Sequence, residues 1–254
     1  MNSSVILSLI SAGCIISGVL LGFWLRHLIP DQHLNEASKD TIKLGAGMVA
    51  TVSALVLGLL VASAKSKFDT MEEEITQRGA KIIFLDRLLG DYGPETKATR
   101  EQLRLTAAAT IDILWPNENI GAPRMDLYER LNGMQLTQMT LLKVTPTTPA
   151  QRELYAMAQR LLTDLRQSRW VLIERAQRAI PIPFLIVLLF WLTVLHISFG
   201  LFAPRNPTVT VVLLISALSV SAAIFIILDM SHPLQGVITV SSEPLRKALE
   251  HLGQ

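Results

Sequence analysis

The sequence predicts an all-α integral membrane protein: four transmembrane helices, with a cytoplasmic helical domain inserted between the second and the third. Three observations carry this prediction. Half of the 254 residues are hydrophobic and only 17% are charged, against about 25% in a soluble domain. Four stretches of bilayer-spanning length carry no Asp, Glu, Lys or Arg. Between the second and third of them lies a run of amphipathic segments separated by Gly- and Pro-rich breakers. The expected divisions are 1–64 for the first pair of spans, 65–179 for the helical domain, 180–229 for the second pair, and 230–254 for a short cytoplasmic tail.

The first span is Val5–Leu25. No charge precedes it and no cleavage pattern follows, so it reads as a retained span, not a signal peptide. Cys14, Gly18 and Gly22 recur at i, i+4 and give it a close-packing edge. Phe23 and Trp24 sit at its end, where aromatic side chains favour the headgroup level. Arg26, His27 and Pro30 mark the exit. A polar connector, PDQHLNEASKDTIK, follows, with Ser38 as the expected cap of the next helix. His27, Asp31 and His33 stand there without a third strong ligand at a recognisable spacing, so no metal site is expected.

The second span, Leu44–Ala64, organises the chain. It has 21 residues without one ionisable side chain, bracketed by Lys43 and Lys65. At about 1.5 Å per residue it covers the hydrocarbon core as a helix. Gly47, Ala50, Thr51, Ala54, Gly58 and Ala62 fall within about 120° of arc at 100° per residue. Small residues let a second backbone approach closely, which drives helix association where lipid is as apolar as leucine. This face therefore packs on another span of the chain, makes a subunit contact, or lines a pore.

Beyond Lys65 the helix continues to Tyr92. Phe68, Met71, Ile75, Ile82, Leu85 and Leu89 keep a heptad-like rhythm with Arg78 the one polar position in the seam, while Glu72, Glu73 and Glu74 splay around the helix. Gly90, Gly93 and Pro94 end it. Glu95–Trp115 is a second helix of the domain and Arg124–Leu142 a third, after the loop WPNENIGAP. The breaker VTPTTP precedes a long fourth helix, Ala150–Ile180.

The third span lies between Arg178 and Arg205, 26 residues without a formal charge. Pro181 and Pro183 fall in its first turns, where a missing N–H is tolerated. His196 is the one ionisable group well inside a span. It is either functional or a packed neutral histidine donating to the Leu192 or Thr193 carbonyl. Pro204–Pro207 is a hairpin turn, and Thr208–Leu228 is the fourth span. Asp229 ends it, and Glu243–Leu252 is a final amphipathic helix.

Several function classes are excluded. A net charge of +2 gives no nucleic-acid footprint. A lone cysteine allows neither an internal disulfide nor a cysteine-based zinc site. No nucleophile–base set, metal cluster or phosphate-binding glycine loop points to an enzyme, and no cofactor is expected. Basic residues flanking the membrane set the orientation. Lys65, Lys67, Arg78, Lys81, Arg166, Arg169, Arg175, Arg178, Arg246 and Lys247 lie on the side of the domain, against Arg26, Lys39, Lys43 and Arg205 on the other. The positive-inside rule then places the domain and both termini in the cytoplasm of a multi-pass protein of the bacterial inner membrane.

The segments LIPDQHLNEASKDTIKLGAGMVATVSALVLGLLVASAKSKFD, LDRLLGDYGPE, IPIPFLIVLLFWL, SFGLFAPRN and ILDMSHPLQGVITVSSEPLR resemble the bestrophin-like domain family of uncharacterised bacterial membrane proteins, over nearly the whole chain. Resemblance to bestrophins proper implies a homo-oligomeric anion channel whose second span lines the pore. No acidic cluster follows Asp229, so their calcium clasp is not implied here. The expected function is thus a homo-oligomeric ion channel in the lipid bilayer with the small-residue face at or beside the pore. Phe68 and Met71 are its candidate hydrophobic constriction. The rival expectation is a scaffold or stator-like component, which would require an unidentified partner subunit carrying a membrane carboxylate.

Overall fold

The computed structural model describes residues 3–30, 36–116, 127–177, 182–204, 206–234 and 236–253. Asp31, His33, Pro181, Arg205 and the loop after Pro116 lie outside these. The described residues form helices joined by turns, bends and irregular segments, with no strand among them. The helices are α1 (Ser3–Leu28), α2 (Glu36–Tyr92), α3 (Lys97–Leu114), α4 (Leu127–Leu141), α5 (Pro149–Gln177), α6 (Ile182–Phe202), α7 (Pro207–Met230) and α8 (Glu243–His251). Four of them, α1, α2, α6 and α7, are long and apolar enough to cross a membrane. Each expected span therefore exists as a helix. Asn206 caps α7, its side chain accepting from the Thr208 N–H at 2.9 Å. Helix α2 starts at Glu36, so Ser38 lies in its first turn instead of capping it, and the helices of the second unit differ from their expected bounds by one to three residues.

The chain divides into two compact units, Met1–Phe68 with Ala179–Thr239, and Asp69–Arg178 with Val240–Gln254. Helix α2 contributes to both. In the first unit its buried residues are Ser53, Leu60 and Ala64; in the second, Met71, Ile75, Arg78, Ile82, Leu85 and Leu89 recur at steps of four and three, which keeps these six on one side of the helix.

In the first unit, α1 packs on α6 and α7. The core joins Ile15, Leu60, Ala64, Leu188, Leu192, Ala217, Ile224, Ile227 and Leu228. The crossing of α1 and α6 is close because it is built from glycine. A Cβ on Gly22 would fall 2.3 Å from the Ile197 carbonyl oxygen and 2.9 Å from the Gly200 Cα. One on Gly18 would fall 2.9 Å from the Thr193 carbonyl oxygen, and one on Gly200 2.5 Å from that of Val19. Backbone stands in each position, so no rotamer change relieves the clash. At one end of the crossing an Arg26 Nη1–H donates to the Ala203 carbonyl.

Asp229 is fully buried at the end of α7. Its Oδ2 accepts the N–H groups of Val237 and Ile238 at 2.9 and 2.7 Å, pinning the segment that follows. Lys67 Nζ donates to the Ser231 carbonyl at 2.8 Å.

The second unit is a helical core. Helix α3 packs on α4, where Gly133 leaves room for Thr106, and on α8. The chain after residue 240 is part of this core. Leu245 and Ala248 are fully buried, and Trp115 Nε1–H donates to the Val240 carbonyl at 2.8 Å. Arg78, 4% exposed, donates through Nη1 to the Leu165 carbonyl at 3.1 Å and to Ser168 Oγ at 3.3 Å. A polar seam position is thus met by polar partners, as burial of a charge requires.

Candidate functional site in the membrane bundle

The small-residue face of α2 is open. Gly47, Thr51, Ala54, Gly58 and Ala62 are exposed and Ala50 half-buried. A Cβ on Gly47 or Gly58 would meet nothing within 4 Å. The face that packs on the rest of the bundle is a different one, built from Ser53, Leu60 and Ala64 with Val56 and Leu57 beside them. At 100° per residue the two faces are centred roughly 130° apart. The small residues are thus not the face through which α2 joins the described core of the bundle. Only 11% of the apolar window of α2 is buried, against 33% for α1 and 28% each for α6 and α7.

Gly47 and Ala50 form one wall of a largely apolar, open-sided cavity of about 400 Å³, lined also by Ile42, Lys43 and Ala46 of α2, Ser198, Phe199 and Phe202 of α6, and Val209 and Leu213 of α7. Thr51 Oγ1–H donates to its own helix, to the Gly47 carbonyl at 2.9 Å. This satisfies the hydroxyl without a second helix. Phe68 is half-buried, with Lys65 Nζ 5.7 Å from its ring centroid, within cation–π range. Met71 is 2% exposed and belongs to the core of the second unit. The two residues named for a constriction are thus treated differently by the fold.

His196 is 3% exposed. Its Nδ1 lies 2.7 Å from the Leu192 carbonyl oxygen, which can only accept, so Nδ1 carries the proton. The ring meets Phe199 edge-on at 5.9 Å, and its Cβ lies beside Gly18 at the α1–α6 crossing. Nε2 has no hydrogen-bond partner among the described residues. A buried polar group was missed from the sequence: Ser53, 3% exposed, whose Oγ is likewise without a partner among the described residues. Its only sequence signal is a place in the buried seam of α2, and the apolar positions of that seam overshadow it. Among the described residues no group of three or more His, Cys, Asp or Glu could hold a metal ion.

The model of the bestrophin-like domain matches residues 13–245. The chain belongs to the bestrophin-like domain family. No curated protein matches it. Among solved structures, the fold is similar to that of a bacterial bestrophin homologue from Klebsiella pneumoniae, crystallised with a point mutation, at a TM-score of 0.68 and 12% sequence identity. The match covers 94% of this chain and 99% of the other. At that identity the likeness is one of fold. It extends over nearly the whole of this bestrophin-like chain.

Proposed function

We propose that this bestrophin-like protein is the subunit of a homo-oligomeric ion channel of the bacterial inner membrane, with the open face of α2 at or beside the axial path. The observation that carries the reading is the state of that face. It is uncharged, small, contains Thr51, and from Thr51 to Ala62 is left exposed by the described helices of the chain. A pore-lining helix needs these properties, and an oligomer supplies the missing neighbour. Membership of the bestrophin-like family supports the same reading, since bestrophins proper are oligomeric channels whose second span lines the pore. The residues assigned to the axial or inter-subunit face are Gly47, Ala50, Thr51, Ala54, Gly58 and Ala62. Phe68 is assigned to a hydrophobic constriction gating by dewetting; Met71, buried in the core of the second unit, is left out of it. The helical domain is inserted between the second and third spans and is cytoplasmic, as are both termini.

Reconstituted alone in planar bilayers, the protein passes current. Thr51→Phe and Ala54→Phe lower the conductance while the oligomer persists, and Phe68→Ser raises open probability. Silent bilayers from intact oligomers overturn the channel reading in favour of a scaffold that works with a partner subunit. Reporter fusions at Gly121 and Gln254 read cytoplasmic and one at Asp31 external; a periplasmic signal at Gly121 overturns the orientation.

A further inference from the structure

The open-sided cavity of about 400 Å³ beside Gly47 and Ala50 lies at the end of the membrane bundle marked by Lys43 and by the turn between α6 and α7. Helix α2 is loosely held there. None of its described residues from Glu36 to Val52 is buried, whereas Ser53, Leu60 and Ala64 further along it are. The cavity separates this end of α2 from Phe199 and Phe202 of α6 and from Val209 and Leu213 of α7.

Its walls make little polar demand. Two polar side chains line it, and both are engaged within their own helices. The Ser198 hydroxyl donates to the Val194 carbonyl at 3.0 Å, and Lys43 pairs with Asp40 at 3.3 Å. A buried water needs about two to four polar partners, which such walls do not offer. The rest of the lining is aliphatic and aromatic, as in a site for an apolar ligand, and the volume lies within the ~300–1,000 Å³ of such sites. Helices α2, α6 and α7 are each long and apolar enough to cross a membrane, so hydrocarbon is the medium at the open side. A neighbouring span is too bulky to enter. One helical turn, a rod about 10 Å across rising about 5.4 Å, already takes up the whole volume. A single flexible hydrocarbon chain can enter.

We propose that this cavity holds an acyl chain of a bilayer phospholipid, wedged between α2 and the α6–α7 hairpin. The acyl chain gives this end of α2 the dispersion contacts that Leu60 and Ala64 obtain from protein further along. It takes up the small-residue face at Gly47 and Ala50 and leaves Thr51 to Ala62 to the neighbouring subunit of the channel reading. Binding itself rests on the spans alone, so bilayers without current leave it standing.

The full-length protein is placed in nanodiscs containing a phosphatidylcholine with a diazirine partway along one acyl chain. It is irradiated either in the nanodisc or after extraction into mild detergent, and adducts are mapped by peptide mass spectrometry. In the nanodisc, label appears at Phe199 and Phe202 and also at Leu9 and Leu20, which are 60% and 59% exposed on α1. After extraction, label persists at Phe199 and Phe202 and vanishes from Leu9 and Leu20, because only the held lipid stays. Gly47→Leu and Val209→Phe fill the cavity from opposite walls. Each lowers the retained label about tenfold, the ratio given by about 1.4 kcal/mol of overpacking. Gly47→Leu meets nothing else in the chain within 4 Å of its Cβ, so it reports on the cavity even where Val209→Phe does not fold. Val212→Phe, on an exposed face of α7 outside the cavity, keeps the wild-type label. Loss of label from Phe199 and Phe202 together with Leu9 and Leu20, or equal retention in Gly47→Leu and Val212→Phe, overturns the site. Label that reaches Phe199 and Phe202 only after the assembly is dissociated shows a second copy in the cavity and overturns the lipid as its occupant.

Discussion

Two helix faces in the membrane bundle are made of the same kind of residue and have opposite fates. On α1, Gly18 meets Thr193 and Gly22 meets Ile197 and Gly200 of α6 so closely that an added Cβ strikes backbone. On α2, Gly47 and Gly58 sit in an equally small stripe and have open space beside them. The first stripe is consumed in folding one chain. The second is available for another. In lipid there is no hydrophobic gain in bringing two helices together, so a small-residue stripe is useful only where another backbone comes close enough for dispersion contact. One stripe has that backbone within the chain; the other requires it from outside.

The largest effect is expected at the consumed stripe. Gly22→Val forces a branched side chain against the Ile197 carbonyl and the Gly200 backbone. It costs about 3 kcal/mol or more, at or beyond the upper end of typical overpacking, and in detergent the variant unfolds at a much lower temperature or fails to accumulate. Wild-type thermal stability for Gly22→Val would show that the α1–α6 crossing is looser than described. Gly58→Leu comes next. It meets nothing within the chain, so the isolated subunit keeps its stability, while assembly read by mass photometry falls by about 1–3 kcal/mol per contact. If Gly58→Leu destabilises the subunit as much as Gly22→Val, the contrast between the two stripes disappears. Leu55→Val is the control, since Leu55 is 69% exposed on a neighbouring face of the same helix. Val56 is a poor control because it packs against the core.

A smaller effect is expected at His196. Its Nδ1–H is satisfied by the Leu192 carbonyl within its own helix. Glutamine can replace that donor, so His196→Gln costs less than about 1 kcal/mol and conserves conduction. A current whose pH dependence vanishes in this variant would instead give the unpartnered Nε2 a role in conduction. The smallest change is expected for Ser53→Ala. Its buried Oγ has no partner among the described residues, so its removal leaves no orphaned partner and is neutral or slightly stabilising. Clear destabilisation would show that the Ser53 hydroxyl has a hydrogen-bond partner inside the bundle.

Much of this architecture was legible in the residues. Uncharged stretches of 21 and 26 residues mark spans because a charge in hydrocarbon is costly and only a helix there satisfies its own backbone. The rhythm from Met71 to Leu89 named a buried seam, including Arg78, because a 3.6-residue period leaves one side of a helix facing the core. The Gly18 and Gly22 edge was visible for the same reason of spacing. Family membership was also legible, in strings distributed over both pairs of spans.

What the residues could not decide is which small stripe has a neighbour inside the chain. Gly18 and Gly58 look alike locally, since a missing side chain carries no information about what stands beside it. Only the crossing of α1 with α6, formed by segments about 180 residues apart in the chain, assigns one stripe to folding and leaves the other open. Met71 was separated from Phe68 in the same way: both follow the heptad rhythm, and the core of the second unit takes only one of them fully. Asp229 read as the polar end of a span. Its burial and its two backbone partners, Val237 and Ile238, arise when the chain turns back after α7, a path that hydropathy does not encode. Helices and spans follow from local period and from the solvent. Which of their faces meet follows from contacts distant in sequence, which exist only once the chain is folded.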